Sequence, residues 1–338
     1  MKAALITQTG FKNNFRQNLE IKDIPVPDVS DNEILININY ASLNHRDLWI
    51  IKGAYSKIRL PVVPGSDAAG VVSEVGSNVT EFKSGDEVII NPGMNWGNEE
   101  NFQSREFKIT GMPDNGTMAE FISVDKKYVY KKPVHLDLAS AAAIPLTGIT
   151  AFRSVFKKAE LKSSDCILIP GIGSGVSTFV LLFAVSTGAR VFVTSGSYDK
   201  IVKAISLGAE AGVNYNDESW ENKIFDLSGN EINVVIDGSG GNTISKCMDK
   251  INYGGRIVSY GATLGNVNDF PMARLFWKQL KILGSTMGSP DDFSEMLKYI
   301  NEKNISPVVD KIFDLENITD AFERMNEGKQ FGKIVIRI

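Results

Sequence analysis

The stretch Cys166-Ile167-Leu168-Ile169-Pro170-Gly171-Ile172-Gly173-Ser174-Gly175-Val176-Ser177-Thr178-Phe179-Val180-Leu181-Leu182-Phe183-Ala184 decides the fold. Its first apolar run reads as a strand, its glycine cluster as a tight turn, and the segment from Thr178 as an apolar helix. In that order they make a dinucleotide site. Glycines let the backbone approach a pyrophosphate, which the unpaired N–H groups and positive end of the helix attract. Gly171, Gly173, Ser174, Gly175 and Val176 are the expected contacts. The spacing departs from G-x-G-x-x-G, so the strand and helix on either side carry the inference, and glycines that merely close the turn are the alternative.

Downstream the rhythm repeats. Strand-like Val191-Phe192-Val193, Val234-Val235-Ile236 and Ile257-Val258-Ser259 alternate with helix-length segments 176–187, 199–207 and 242–252. Such alternation means an α/β, doubly wound parallel sheet. Upstream, Glu33-Ile34-Leu35-Ile36-Asn37-Ile38-Asn39-Tyr40, Ala69-Gly70-Val71-Val72 and Asp86-Glu87-Val88-Ile89-Ile90 are short strands between Gly, Pro and Asn, a β-rich region. The closing Phe331-Gly332-Lys333-Ile334-Val335-Ile336-Arg337-Ile338 reads as a lone strand in need of a sheet, and the β-rich region is its expected host. The expected organisation is a catalytic domain over 1–125, completed by 290–338, around a cofactor domain over 126–289.

The end of the second strand, Thr194-Ser195-Gly196-Ser197-Tyr198-Asp199-Lys200, bears on which nicotinamide cofactor is used. An acidic residue there would bond the adenosine ribose and repel a 2′-phosphate. None occupies Thr194 to Ser197; Ser195, Gly196 and Ser197, with Lys200 one turn on, can hold a phosphate dianion. NADPH is therefore expected, with Asp199 capping the next helix and a merely solvated Lys200 as the alternative.

A chain of 338 residues with 43% hydrophobic content can bury two cores, which excludes a short binding module. The formal charge of -4, with 36 dispersed basic residues, indicates no nucleic-acid surface. Met1-Lys2-Ala3-Ala4-Leu5-Ile6 turns polar too soon for a signal-peptide core, and no apolar run approaches the roughly 18 residues of a membrane span, so the expectation is cytoplasmic and without membrane contact. Cys166 and Cys247 are expected as buried free thiols.

Several segments in one order carry a family likeness over nearly the whole chain: Gly65-Ser66-Asp67-Ala68-Ala69-Gly70-Val71-Val72 with Val75-Gly76-Ser77-Asn78-Val79, then Gly85-Asp86-Glu87-Val88, Gly116-Thr117-Met118-Ala119-Glu120-Phe121, Ala142-Ala143-Ile144-Pro145-Leu146-Thr147-Gly148-Ile149-Thr150-Ala151, and Gly332-Lys333-Ile334-Val335. The chain resembles the medium-chain dehydrogenase/reductase superfamily, and within it the zinc-free quinone oxidoreductase branch. The resemblance implies a Rossmann cofactor domain, a GroES-like catalytic domain and a homodimer joined through Lys281-Ile282-Leu283-Gly284-Ser285-Thr286-Met287. The positions matching the zinc ligands of relatives are Asn44, Ser66 and Leu146, none a competent ligand, and 91–115, matching a four-cysteine zinc lobe, has no cysteine, so no metal is expected.

Without a Lewis acid, conjugated acceptors become the expected substrates, because the charge left by hydride transfer spreads onto a distant oxygen. By resemblance Asn44-His45-Arg46-Asp47 faces the nicotinamide: Asn44 donates to the acceptor oxygen, His45 supplies a proton, and Arg46 meets cofactor phosphate or pairs with Asp67. The plain alternative is that His45 and Asp47 only fix the loop. Tyr55 stacks on substrate or sits in the core; Thr147, Tyr215, Gly261 and Ala262 are carried over as cofactor contacts, and His135 as structural. The expectation is a zinc-independent, NADPH-dependent reductase of quinones or other conjugated carbonyl compounds. Its alternatives are an enoyl or alkenal reductase, a zinc-type alcohol dehydrogenase relative that has lost its metal, and a non-catalytic NADPH-binding protein.

Overall fold

Cys166–Ile169 pairs in parallel with Arg190–Ser195 on one side and with Val234–Asp237 on the other, forming the middle of a six-stranded, wholly parallel sheet. Outward from this centre come Ala211–Asn214 beyond Arg190–Ser195, and Arg256–Ser259 then Lys281–Gly284 beyond Val234–Asp237. Numbered along the chain, the order is 3-2-1-4-5-6, the doubly wound arrangement in which ligands bind beyond the carboxyl ends of the strands. The computed structural model describes residues 1–10 and 15–338; this sheet lies in the unit Gly148–Met287, and the other unit is Met1–Thr147 with Gly288–Ile338.

Every residue of Cys166–Ile169 and Val234–Asp237 is buried, as expected of strands covered on both faces. The helix Gly175–Thr187 supplies part of that cover through Phe179, Val180, Leu181, Phe183 and Ala184. Phe183 meets Phe152 edge-on at 5.9 Å and Phe156 at 5.8 Å. Fully burying a Val, Leu or Phe side chain in this way contributes about 1.5–3 kcal/mol. Cys166 and Cys247 are buried and unpaired, and burial pushes the Cys166 thiol up to about 11.

In the other unit, Glu33–Ser42 is the hub of a seven-stranded sheet. It pairs antiparallel with Asp67–Val75, Phe121–Asp125 and Lys333–Arg337, and Val309–Asp314 adds in parallel beyond the last. Ile34, Ile36 and Ile38 share the main core of this unit with Val63, Val72, Val88, Ile334 and Ile336. In Lys333–Arg337 strict alternation does not hold, for Val335 is buried as fully as Ile334 and Ile336. The cause is local: Ala139 and Ala143 cover the second face of the strand at Val335.

Candidate active site

In the Met1–Thr147 unit the strand Glu33–Ser42 ends, Leu43 turns, and the helix His45–Ile51 begins with Asn44 at its N-cap. The turn is closed by Asp47, whose Oδ2 accepts from Asn44 N at 2.8 Å and whose Oδ1 accepts from Gly65 N at 3.3 Å. Both oxygens of this wholly buried carboxylate thus face backbone. Burial raises its pKa, against the opposing effects of Arg46 and the Asn44 amide.

With its backbone occupied in the turn, the Asn44 side chain reaches elsewhere. Its Nδ2 donates to Asp67 Oδ2 at 2.9 Å, and its Oδ1 accepts from Lys333 Nζ at 2.7 Å. Lys333 Nζ also donates to Asp67 Oδ2 at 2.9 Å and to the Leu43 carbonyl at 2.8 Å. Asp67 completes its shell with Ser42 Oγ at 2.9 Å and Leu146 N at 2.8 Å. The result is a dry ion pair, 2% and 0% exposed, roofed by an amide.

Arg46, one residue on, does not pair with Asp67, because Lys333 already holds that carboxylate. The Arg46 guanidinium lies in its own unit, donating through Nη1 to Ser66 Oγ and the Thr110 carbonyl, both at 2.6 Å, with the Tyr55 ring 5.2 Å away. Tyr55 also packs against the hydrophobic core. The His45 imidazole has no hydrogen-bond partner among the described residues, and burial, helped by the charges of Lys333 and Lys52, holds its pKa below the usual 6.5. Thr147 is buried with Oγ1 on the Ala143 carbonyl, and His135 Nε2 lies 3.1 Å from the Ile305 carbonyl.

In the Gly148–Met287 unit the expected nucleotide residues gather at the carboxyl ends of the strands. Gly173 takes φ +129°, a backbone state L side chains rarely adopt, and it lets the chain reverse into the helix at Ser174. Ser177 Oγ accepts from Gly173 N at 3.1 Å and Ser174 N at 3.0 Å, so those two donors are spent inside the turn. The N–H groups of Gly175 and Val176, first in the helix, take no partner among the described residues. They are the donors a pyrophosphate would meet.

At the next strand end, Ser195 Oγ accepts from Ser197 N at 3.2 Å and Asn214 Nδ2 donates to the Gly196 carbonyl at 3.3 Å. Tyr215 lies across Gly196, and the helix Tyr198–Ser206 carries Lys200 in its first turn. Gly261 and Ala262 belong to a loop zipped to its neighbour, with Leu264 N on the Ser239 carbonyl at 2.8 Å and Gly241 N on the Gly265 carbonyl at 3.0 Å.

Sequence reasoning missed two anchors. Asp237, buried, accepts from Ser239 N at 3.0 Å and Gly240 N at 2.7 Å, shaping the loop after the fourth strand of the sheet. An acid ending an apolar strand before Gly-Ser-Gly-Gly was a visible signal for it. Lys333 stands in the closing motif beside Ile334 and Val335, whose apolar character signals burial, but nothing local in the sequence names Asp67 as its partner.

Two groups follow from the fold, and the donors decide between them. A dinucleotide fits: free helix-end N–H groups, small hydroxyls and a lysine stand at successive strand ends. A zinc ion does not, since the three corresponding positions offer an amide locked on an ion pair, a hydroxyl bonded to Arg46, and a leucine. Among the described residues no three His, Cys, Asp or Glu side chains could hold a metal ion, and no helix is long and apolar enough to cross a membrane.

Known proteins agree with the fold. The family model of the alcohol dehydrogenase GroES-like domain matches residues 30–134, and that of zinc-binding dehydrogenase matches 175–302. The chain is 35% identical to the zinc-type alcohol dehydrogenase-like protein YogA of Leptosphaeria maculans, over 95% of this chain and 94% of that one. It is 27% identical to quinone oxidoreductase-like protein 2 of Bos taurus, over 96% and 90%. A crystal structure of an NAD-dependent alcohol dehydrogenase superposes with a TM-score of 0.94 at 36% identity, covering 100% of both chains. With a parallel doubly wound sheet, a GroES-like unit and relatives of this kind across its length, the chain belongs to the medium-chain dehydrogenase/reductase superfamily of oxidoreductases.

Proposed function

We propose that this protein is a zinc-independent, NADPH-dependent reductase of conjugated carbonyl compounds, quinones first among them. The observation that carries this reading is the donor set around Asp67. The groups at the three metal-ligand positions do not suit zinc, while Asn44 keeps a second amide N–H beside the one that Asp67 accepts. A lone amide donor stabilises developing charge less than a metal does, and a conjugated acceptor asks for less because it spreads that charge itself.

In this reading the reduced nicotinamide supplies the hydride. Asn44 Nδ2 donates to the acceptor oxygen and tightens its hold as charge accumulates there. The proton comes from water or through His45; burial holds the imidazole below its usual pKa, so it would act as an uncharged relay that passes one ring proton to the acceptor as its other nitrogen takes one from water. Asp47 holds the turn and Arg46 the Ser66–Thr110 wall, so that in this proposal both position rather than react; Tyr55 stacks over Arg46 and faces the acceptor ring. Gly175 and Val176 N–H receive the pyrophosphate, Ser195, Gly196, Ser197 and Lys200 the 2′-phosphate, Tyr215 the adenosine, and Thr147, Gly261 and Ala262 the nicotinamide end. The same reading places the enzyme in the cytoplasm as a homodimer.

The test is the loss of reduced-nicotinamide absorbance with NADPH or NADH against quinones, enals and simple aldehydes, with and without a chelator. Oxidation of NADPH by quinones that a chelator does not slow is the expected result. Activity confined to simple carbonyls, requiring NADH and added zinc, would instead align this chain with its NAD-dependent alcohol dehydrogenase neighbour.

A further inference from the structure

We infer that Lys333, together with Asp67, locks the Asn44 amide in one orientation and so makes the site a hydrogen-bond donor to oxygen. The inference rests on the proposed reduction and names a positioning residue for it.

The Asn44 amide presents one edge to the buried pair: Oδ1 lies 2.7 Å from Lys333 Nζ, and Nδ2 lies 2.9 Å from Asp67 Oδ2. Turning the amide by half a revolution would set its NH2 against the ammonium and its oxygen against the carboxylate. Both contacts would then be repulsive, in a place where Lys333 and Asp67 are 2% and 0% exposed and so poorly screened. An isolated asparagine has no such preference. The pair therefore chooses the flip state.

Lys333 cannot itself touch a substrate. Its ammonium has three donors, and the Leu43 carbonyl, Asn44 Oδ1 and Asp67 Oδ2 take them. Asp67 is enclosed by Ser42 Oγ, Asn44 Nδ2, Lys333 Nζ and Leu146 N. The cluster leaves the second N–H of Asn44 Nδ2 without a partner among the described residues, on a side chain that is buried overall. An ammonium on Oδ1 also polarises the amide and strengthens that N–H as a donor. The ligand it selects is a carbonyl oxygen on its way to an oxyanion.

The experiment joins side-chain amide exchange in protein labelled with 15N-asparagine to single-turnover hydride transfer. The Asn44 signal is assigned by its disappearance in Asn44→Ala. In the unaltered protein the Asn44 NH2 exchanges slowly with its two protons distinct. The charge-neutral pair Lys333→Met with Asp67→Asn, chosen so that neither charge is stranded, is expected to speed exchange and to slow hydride transfer by about tenfold or more, with cofactor affinity unchanged. Lys333→Arg, which keeps the charge, restores most of the rate. In the Asn44→Ala background the same pair change adds less than about twofold, because the lock then has nothing to hold. An undiminished effect in that background, hydride transfer unaffected by the pair change, or an Asn44 amide that exchanges like a free one would overturn the inference. If the amide is protected but no conjugated carbonyl is reduced at all, the proposed function falls and the lock stands.

Discussion

Tyr215 lies across Gly196 so closely that a Cβ on residue 196 would sit 2.7 Å from the tyrosine Oη and 2.9 Å from Cζ. Any side chain at this position must move the ring. The strand end is thereby kept to backbone and small hydroxyls, the surface argued above to receive a 2′-phosphate. Gly196→Val is expected to raise the KM for NADPH by about tenfold or more with little change in kcat, since it removes binding without touching the acceptor. Lys200→Asp, which puts a carboxylate near the same phosphate, should turn the preference toward NADH. Steady-state kinetics with both cofactors checks the pair, and unchanged selectivity in Lys200→Asp counts against the phosphate assignment.

Lys333→Met alone should behave very differently from its combination with Asp67→Asn. The single change strands a carboxylate that is 0% exposed, which costs about 3–5 kcal/mol of stability, whereas removing both charges is close to neutral. Urea denaturation of the two variants measures the difference. Equal destabilisation would mean that the pair matters for packing rather than charge.

The legible and illegible parts of this protein divide along the range of the interactions involved. The glycine turn at 171–175 and the strands at 166–169, 191–193, 234–236 and 257–259 show in the sequence because a strand-to-helix turn and a doubly buried parallel strand are each written in a few consecutive residues. So are the small residues at Ser195–Ser197. Lys333 and Asp67, separated along the chain by most of its length, meet only because Lys333–Arg337 and Asp67–Val75 flank the same strand, Glu33–Ser42. No local pattern marks that meeting, and an ion pair is invisible until topology joins its halves. For the same reason Arg46 could be imagined on Asp67, a closer residue in sequence, when Lys333 in fact holds it.

His45 predicts a pH dependence of its own. Its folded pKa lies below the usual 6.5, chiefly through burial, with Lys333 and Lys52 adding to the effect. A histidine that resists protonation when folded but accepts it when unfolded lowers stability as the pH falls through about 6.5, by at most about 1.4 kcal/mol per pH unit, until the folded value is reached. The urea midpoint of the native protein should therefore decline through this window more steeply than that of His45→Gln. Parallel profiles would show that the imidazole is free to charge in the folded state.

The lobe over 91–115 is held by an aromatic pin. Trp96 is buried, meets Phe107 edge-on at 5.4 Å, and donates through Nε1 to the Glu99 carbonyl at 2.8 Å, while Ser104 Oγ donates to the Asn95 carbonyl at 2.7 Å. Trp96→Ala is expected to cost about 3–5 kcal/mol, the usual range for a buried tryptophan. A chelator should leave the Tm of the unaltered protein where it was. A fall in Tm with chelator would reveal a metal that these side chains do not account for.

The edge strand Lys281–Gly284 tests the homodimer. On its inner side Lys281 N donates to the Gly255 carbonyl and Ser285 N to the Ser259 carbonyl, each at 2.9 Å. Strand periodicity then turns the N–H groups of Ile282 and Gly284 outward, where nothing among the described residues pairs with them. Ile282 is itself 36% exposed, and Phe276 and Trp277 beside the strand in sequence are 66% and 70% exposed, an unusual amount of apolar surface for a free edge. Ile282→Pro removes an outward donor and leaves the inner ladder intact. Light scattering should give a dimer mass for the native protein and a monomer mass for the variant, with the far-ultraviolet spectrum unchanged. A native monomer at micromolar concentration would refute edge pairing, and a variant that stays dimeric would move the interface to another face of the unit.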